Sequence, residues 1–322
     1  MGLSILSGLV VLVCGLRILI DRDPSGGLGL AWPDPSYARF RWIPMANGMA
    51  AGTALAVSGV LLQALLRNPL ASPFILGVSS GAGLGIMAAL YVAYATGSTL
   101  PEFAGSTLPA VLGALMTLGI VYALGQRKGW LDPISLILIG VVVSTICSAG
   151  IMFFQHLVPT GLRGEFITWL MGYIPENTRL GSLLLVGSLS ATGLLAAMLM
   201  GRAMDAATLS EDEARSVGLN VGLQRLMMFL LAGVLAAVAV SLVGPIGFVG
   251  LIAPHTARLL LGPRHTTLVL GAALCGIVIL VGADVARQAL DFGAGRMPPG
   301  VFTAFIGGPV FIWLLLTGRG QA

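Results

Sequence analysis

Charged residues are scarce in this chain. Only 9% of its 322 residues are Asp, Glu, Lys or Arg, whereas a soluble domain has roughly 25%. Lys128 is the single lysine, and a net charge of +4 is too small to indicate a nucleic-acid partner. Hydrophobic residues make up 57%, and the mean hydropathy is +0.96. The composition therefore excludes an ordinary soluble protein and predicts an all-α, polytopic membrane protein.

Several catalytic motifs are also missing. There is no GxxxxGK[ST] loop, whose lysine and backbone N–H groups bind nucleotide phosphates, and HExxH does not occur. The letters GVSSG at 77–81 match GxSxG, but they lie in an apolar helical run and not at the strand-to-helix turn of a nucleophile elbow. The three cysteines lie in apolar runs without metal-ligand spacing, and we expect inert buried thiols: Cys14, Cys147 and Cys275. The histidines are scattered, and His255 is expected to be buried with its hydrogen bonds satisfied. We therefore predict neither an enzyme nor a directly bound metal or cofactor.

Apolar runs of about 20 residues predict ten spanning helices within a single transmembrane domain, 1–322. They lie near 3–20, 46–66, 74–94, 107–126, 133–156, 180–200, 224–243, 246–262, 267–286 and 300–317. The first run lacks a basic leader region and an A-x-A site, so it is predicted to be a retained helix. Arg17 within it is expected to reach the membrane surface. Basic residues divide nine to eight between the two sides, so the positive-inside rule does not orient the chain.

The stretch between Ala54 and Gly85 contains an abrupt break. One apolar run stops at Arg67-Asn68-Pro69, and a second, rich in Gly and Ser, follows Pro73. The prolines disfavour helix, and Asn68 can bond its own backbone in a turn. Gln63 precedes the break, where a polar side chain is expected to face protein or water. The pattern predicts a tight elbow between two spans; an ordinary interhelical loop is the alternative.

Two connecting segments have recognisable signals. Residues 157–179 contain Trp169, Tyr173 and Pro175, which predict a short interfacial helix. Residues 202–223 hold the densest charge, with a capping box from Ser210 to Glu213 and with Gly218 placed to end the helix in a left-handed conformation. A short helix from about Glu211 to Val217 is predicted, either as a solvated loop helix or as a docking knob.

The block GPIGFVGLIAPHTARLLLGPRH at 244–265 resembles the permease subunit of the ABC importers for vitamin B12, haem and ferric siderophores. Further matching motifs run in the same order: GTALAVSGVLLQ at 52–63, NPLASP at 68–73, GVSSGAG at 77–83, GADVAR at 282–287 and PPGVFTAFIGGPVFIWLLL at 298–316. The resemblance implies a B12-importer-like fold with ten helices in a bacterial plasma (inner) membrane. It also implies a permease homodimer, two partner ATPases that bind ATP and Mg, and an extracytoplasmic binding protein that delivers a metal chelate or cobalamin.

The same resemblance suggests roles for individual residues. The second, third, fifth and eighth helices would line the pathway, with Gln63 near the elbow and Asn68 and Leu70 at a cytoplasmic gate. Polar residues at one-turn spacing in the fifth helix would line its middle: Ser144, Thr145 and Ser148. Back-bonding of these hydroxyls to helix carbonyls is the alternative. Residues 206–222 would dock on the ATPase through Ser210, Glu211, Glu213, Ala214, Arg215 and Gly218.

Arginines on the outer side are assigned to docking of the binding protein. By resemblance, Arg41 and Arg287 lie at the rim where acidic knobs of that protein would land, and interfacial snorkelling is the alternative. The family usually has Arg-x-Pro-Arg before the second helix. Here 41–45 reads RWIPM, so the second arginine is missing, and Arg39 is a candidate substitute. Asp284 is expected to pair with Arg287 one turn away. A coupling-ion site at Asp284, in an ion-coupled secondary transporter, is the alternative function; a structural membrane scaffold is a third.

Overall fold

The computed structural model describes residues 1–22, 27–97, 107–127, 130–208, 211–216, 218–290 and 297–316. Thirteen α-helices lie in these ranges: α1 Gly2–Leu19, α2 Arg39–Leu66, α3 Val78–Ala95, α4 Leu108–Leu124, α5 Pro133–Leu157, α6 Thr160–Leu170, α7 Leu180–Leu199, α8 Gly201–Ala207, α9 Glu211–Ser216, α10 Val221–Val243, α11 Val249–Leu261, α12 His265–Ala289 and α13 Pro299–Leu316. Two small antiparallel hairpins accompany them, β1 Ile20–Arg22 with β2 Leu28–Leu30 and β3 Gln126–Arg127 with β4 Trp130–Leu131. The all-α prediction is confirmed.

The ten predicted spans all correspond to helices. Seven are apolar and at least 18 residues long, namely α1, α2, α3, α5, α7, α10 and α12. The other three are the shorter apolar helices α4 and α11, and α13, which counts as shorter over Pro299–Trp313. Of the remaining helices, α6 lies in the segment where an interfacial helix was predicted, and α8 and α9 lie in the charged segment.

Helix α2 is the centre of the subunit. In its most apolar window 89% of residues are buried, compared with 17% in α1 and 22% in both α5 and α7. Small residues allow neighbouring backbones to approach it closely: Gly52 faces Gly276 of α12, and Gly59 faces Gly250 of α11. A Cβ atom on any of these glycines would collide with the facing backbone. The sequence stretch around the elbow is therefore attached to the most tightly packed helix of the bundle.

Several helix boundaries differ from the prediction, and three of them have a visible structural context. Helix α2 begins at Arg39, seven residues before the predicted start, and contains Pro44. The predicted third helix is divided at Gly77, whose φ of 73° separates a 3-10 turn, Pro73–Leu76, from α3. Helix α11 begins at Val249 rather than at 246, because Pro245 follows the end of α10 and Phe248 has a left-handed conformation. In the second and third cases a local backbone conformation interrupted the continuous apolar pattern.

Candidate translocation pathway and docking sites

The predicted elbow is a compact turn. Arg67 ends α2 in a left-handed conformation with φ 48°, which is uncommon for a residue with a side chain. The Asn68 side chain accepts a hydrogen bond from the Leu70 amide at 2.9 Å, as the sequence predicted, and the Asn68 carbonyl accepts one from Ala71 at 3.0 Å. Leu70 is 36% exposed although it is apolar. The elbow therefore presents one leucine on a turn that its own hydrogen bonds hold rigid.

A side chain of the elbow also reaches the charged segment. The Arg67 guanidinium donates to the Ala207 carbonyl, at the end of α8, at 2.9 Å. Arg67 thereby links the end of the central helix α2 to the segment predicted to contact an ATPase. Sequence reasoning did not identify this contact, since 140 residues separate its partners.

Gln63 is buried inside the subunit rather than exposed at its surface. Its side chain is 4% exposed, and its Oε1 accepts a hydrogen bond from Arg258 of α11 at 3.2 Å. Within the described residues, Gln63 Nε2, Arg258 Nη1 and His255 Nε2 are buried without a hydrogen-bond partner. The prediction that His255 is buried is confirmed. The expectation that its hydrogen bonds are satisfied is wrong, because its Nε2 atom has no partner among the described residues.

The hydroxyls of α5 bond to their own helix. Ser144 donates to Gly140 O at 2.7 Å, Thr145 to Val141 O at 3.0 Å, and Ser148 to Ser144 O at 2.8 Å. Thr145 and Ser148 lie on the exposed face of the subunit, while Ser144 is half-buried. Back-bonding thus satisfies the donors and leaves the oxygen lone pairs available, so the predicted pathway role of these residues stays a prediction.

The charged segment folds into two short helices, α8 and α9. Helix α9 ends in a Schellman motif: the Leu219 amide donates to Ala214 O at 3.0 Å, and the Gly218 amide donates to Arg215 O at 2.9 Å. Gly218 has φ 83°, which is the left-handed conformation predicted for the end of this helix. Ala214 is fully buried, whereas Glu213 and Arg215 are exposed. Ser210, Val217 and the Glu211 side chain lie outside the described part, so the capping box stays a prediction.

Helix α8 is fastened to the start of α12. Asp205 accepts a hydrogen bond from the His265 amide at 2.9 Å, and the same oxygen contacts His265 Nδ1 at 2.7 Å. His265 is 7% exposed. The Asp205 carboxylate satisfies an amide in the first turn of α12, which would otherwise lack a partner. The charged segment and α12 are therefore joined by a short, partly buried contact.

The other end of α12 contains a buried ion network. Asp284 is 1% exposed and binds two guanidinium groups, those of Arg17 and Arg287, the latter at 2.8 Å. Arg287 also binds Glu176 at 2.9 Å. The predicted Asp284–Arg287 pair is confirmed. The expectation that Arg17 reaches the membrane surface is wrong: it is 0% exposed, because a carboxylate within the protein offers it a partner.

Arg41 is engaged within the subunit. It binds the Asp21 carboxylate and donates to the Ile20 carbonyl at 2.5 Å, which attaches the β1–β2 hairpin to α2. The Gln288 amide oxygen, in the orientation that satisfies its hydrogen bonds, accepts from both Arg17 and Arg41. Arg39 is exposed and bonds to Asn177. Both predicted docking arginines, Arg41 and Arg287, therefore already have acidic partners, each about half exposed, in Asp21 and Glu176.

The thiols are free among the described residues. Cys147 and Cys275 are buried, as predicted, whereas Cys14 is only half-buried, because α1 packs on a single side of the bundle. Grouped His, Cys, Asp and Glu side chains that could hold a metal ion do not occur in the described ranges.

Comparison with known proteins agrees with this arrangement. The FecCD transport family matches residues 32–317. The vitamin B12 import system permease protein BtuC of Yersinia pseudotuberculosis is 33% identical over 98% of this chain and 93% of its own length. The hemin transport system permease protein HmuU of Yersinia pestis is 34% identical over 84% of this chain and 80% of its own. A solved inward-facing metal-chelate-type ABC transporter is 28% identical, with a TM-score of 0.84 over 98% of both chains.

These similarities extend across the bundle rather than over one motif. They cover the elbow, the charged segment and α12, and with the apolar spans they confirm the predicted family and the multi-pass inner-membrane location. The chain therefore belongs to the FecCD transport family of ABC importer permeases.

Proposed function

We propose that this chain is the permease subunit of an ATP-driven importer for a metal chelate or a corrinoid. Two copies form the pathway, two partner ATPases bind ATP and Mg and dock on α8 and α9, and an extracytoplasmic binding protein delivers the ligand. The N-terminus and the charged segment 202–223 then face the cytoplasm. The relatives named for haemin and vitamin B12 support a large, metal-containing cargo.

The observation that supports this function best is the link from the charged segment to the elbow. Helix α9 is held by its Schellman motif, so docking on it loses little ordering entropy. Glu213 and Arg215 are exposed on this helix, and their opposite charges would align it with complementary charges on the ATPase. Movement of α8 would pass through the Arg67 contact directly to Asn68 and Leu70. This is the arrangement required of a cytoplasmic gate that responds to an ATPase.

The ligand pathway is assigned to the surface between two copies. Thr145 and Ser148 lie on the exposed face of α5, where they add small polar groups to an otherwise apolar helix. On the outer side, Arg41 and Arg287 would receive acidic residues of the binding protein. Their present partners, Asp21 and Glu176, occupy these positions until the binding protein docks.

The ion-coupled alternative is weaker for a structural reason. A coupling carboxylate must exchange its ion, but Asp284 already binds the guanidinium groups of Arg17 and Arg287. Displacing a buried guanidinium by a sodium ion or proton would leave an uncompensated charge, which costs several kcal/mol. Asp284 is therefore assigned to the framework.

Reconstitution tests the proposal. The chain is co-expressed with its ATPase and incorporated into liposomes, and uptake of haem, a ferric siderophore and cobalamin is measured in parallel with the cognate binding protein. Uptake should require ATP and the binding protein. Uptake that persists without the ATPase and follows a proton or sodium gradient would overturn the assignment.

A further inference from the structure

A basic cleft lies beside the charged segment. It has a volume of about 910 Å³ and is bordered by the β3–β4 hairpin, the end of α9 and the start of α10. Three arginines line it, Arg127, Arg215 and Arg225, together with a single carboxylate, Asp132. The Ser135 hydroxyl and amide bind the Asp132 carboxylate and lower its pKa, and Arg127 and Arg225 lower it further, so this carboxylate caps α5 and offsets part of the positive charge. The cleft thus has an excess of positive charge, formed by segments far apart in sequence.

The hairpin that forms one wall is fixed in place. Arg225 donates to the Leu131 carbonyl at 3.5 Å, and the Trp130 ring packs against Gly222 so closely that a methyl group there would overlap it. Trp130 is nevertheless 56% exposed. A partly exposed tryptophan next to arginines is typical of the headgroup level of a bilayer.

A mainly apolar groove, with Gln126 and Asn220 as its polar lining residues, continues from the same cleft. Its volume is about 170 Å³, and it passes between Tyr122 of α4 and Leu226 of α10. It shares four residues with the basic cleft: Trp130, Leu131, Asn220 and Gly222. Beside it, Leu223 is 51% exposed and Leu124 is 60% exposed. The groove therefore leads from the arginines onto the apolar flank of the bundle.

We propose that this cleft and groove bind one anionic phospholipid of the cytoplasmic leaflet, such as phosphatidylglycerol. Its phosphate is bound by Arg127 and Arg225, and one acyl chain lies along the groove between α4 and α10. Basic pockets between helices at the cytoplasmic surface suit acidic headgroups, and an acyl chain requires the adjoining apolar surface. An acidic protein segment, as an alternative occupant, would match the positive charge of the cleft but would not fill the adjoining groove. The placement in the cytoplasmic leaflet depends on the orientation under the proposed function.

The site has a consequence for the importer. Arg215 and Gly218 belong both to the wall of the cleft and to the segment proposed to dock on the ATPase. A lipid phosphate here would stabilise the end of α9 against the hairpin. We therefore expect ATPase coupling to depend on anionic lipid.

Native mass spectrometry of the permease alone, in mild detergent, tests the site without any ATPase. Phosphatidylglycerol and phosphatidylcholine of identical chains are added at equal concentration. The wild type should retain phosphatidylglycerol preferentially, and Arg127→Gln with Arg225→Gln should weaken its retention by about 30-fold, because two basic contacts are lost. Arg264→Gln is the matched control, since Arg264 is an exposed arginine outside the cleft. Added inorganic phosphate should not displace the lipid.

A photoactivatable phosphatidylglycerol with the label in its acyl chain provides a test that needs no variant. In the wild type it should label peptides containing residues 122–131 and 220–226. Equal retention of the two lipids, or labelling confined to other helices, would overturn the lipid site. If the double variant retains lipid but no longer co-purifies with the ATPase, the cleft is a protein contact and the lipid site is wrong. Failure of the wild type itself to bind the ATPase would instead contradict the proposed function.

Discussion

Replacing Asp284 by asparagine should destabilise the protein strongly. The carboxylate is 1% exposed and neutralises Arg17, which is 0% exposed. Asparagine preserves the shape of the side chain but removes its charge, which leaves the Arg17 guanidinium buried beside neutral Gln288 and near two other cations, Arg41 and Arg287. Breaking a buried ion pair by removing one partner costs about 3–5 kcal/mol. Arg287 suffers less, because it retains Glu176.

The assay is equilibrium unfolding of the purified chain in mixed micelles, followed by circular dichroism. A double-mutant cycle with Arg17→Met identifies the cause. Adding Arg17→Met to Asp284→Asn should restore a large part of the lost free energy of unfolding, since the uncompensated cation is then gone. Arg41→Gln is the matched control: its pair with Asp21 is partly exposed, and such pairs contribute about 1 kcal/mol or less.

The reasoning fails if Asp284→Asn costs no more than Arg41→Gln, or if Arg17→Met adds its own loss instead of relieving the first. A third outcome would contradict the framework role. If Asp284→Asn leaves unfolding unchanged but abolishes uptake, Asp284 acts in transport, and the ion-coupled alternative becomes the better explanation.

Three further variants test the gate and the docking sites. Leu70→Ala should increase passive leak of liposomes or raise ATPase activity without ligand, because the exposed elbow leucine is removed; an unchanged leak, with Leu195→Ala at an exposed position of α7 as control, contradicts the gate. Gly218→Val should impair ATPase assembly, whereas Gly218→Asn, which tolerates positive φ, should largely preserve it; full coupling in the valine variant argues against docking on α9. Arg41→Glu should weaken capture of the binding protein on immobilised transporter, more at low salt than at high, while Asp21→Asn should not; equal capture by the wild type and Arg41→Glu contradicts the rim assignment.

Local chemistry explains why the elbow and the end of α9 were predictable. The Asn68 side chain accepts a hydrogen bond from the amide two residues later. Gly218 adopts a positive φ and ends α9, as expected for a glycine just after a short helix. Both features depend on interactions within a few residues, so the residue types at those positions are enough to predict them. The same holds for the Asp284–Arg287 pair, whose members are one helical turn apart.

Long-range contacts were not predictable in this way. Arg17 and Asp284 are 267 residues apart, and from sequence Arg17 was expected to reach the membrane surface. Arg67 meets α8, and Trp130 meets Gly222, through packing between segments that are also far apart in sequence. The early start of α2 has a related cause, because Pro44 lies in a helix that tertiary contacts stabilise.

The sequence alone determined the class of protein, the ten spans, the family and the locations of the elbow and the charged segment, because apolar length, turn residues and motif order are properties of the chain itself. Only the tertiary structure decided which charges are buried together and which surfaces are continuous. A buried charge is stable only beside its partner, and a cleft exists only where separate helices converge. Asp284 between two arginines and the basic cleft beside Trp130 therefore became visible when the helices were packed.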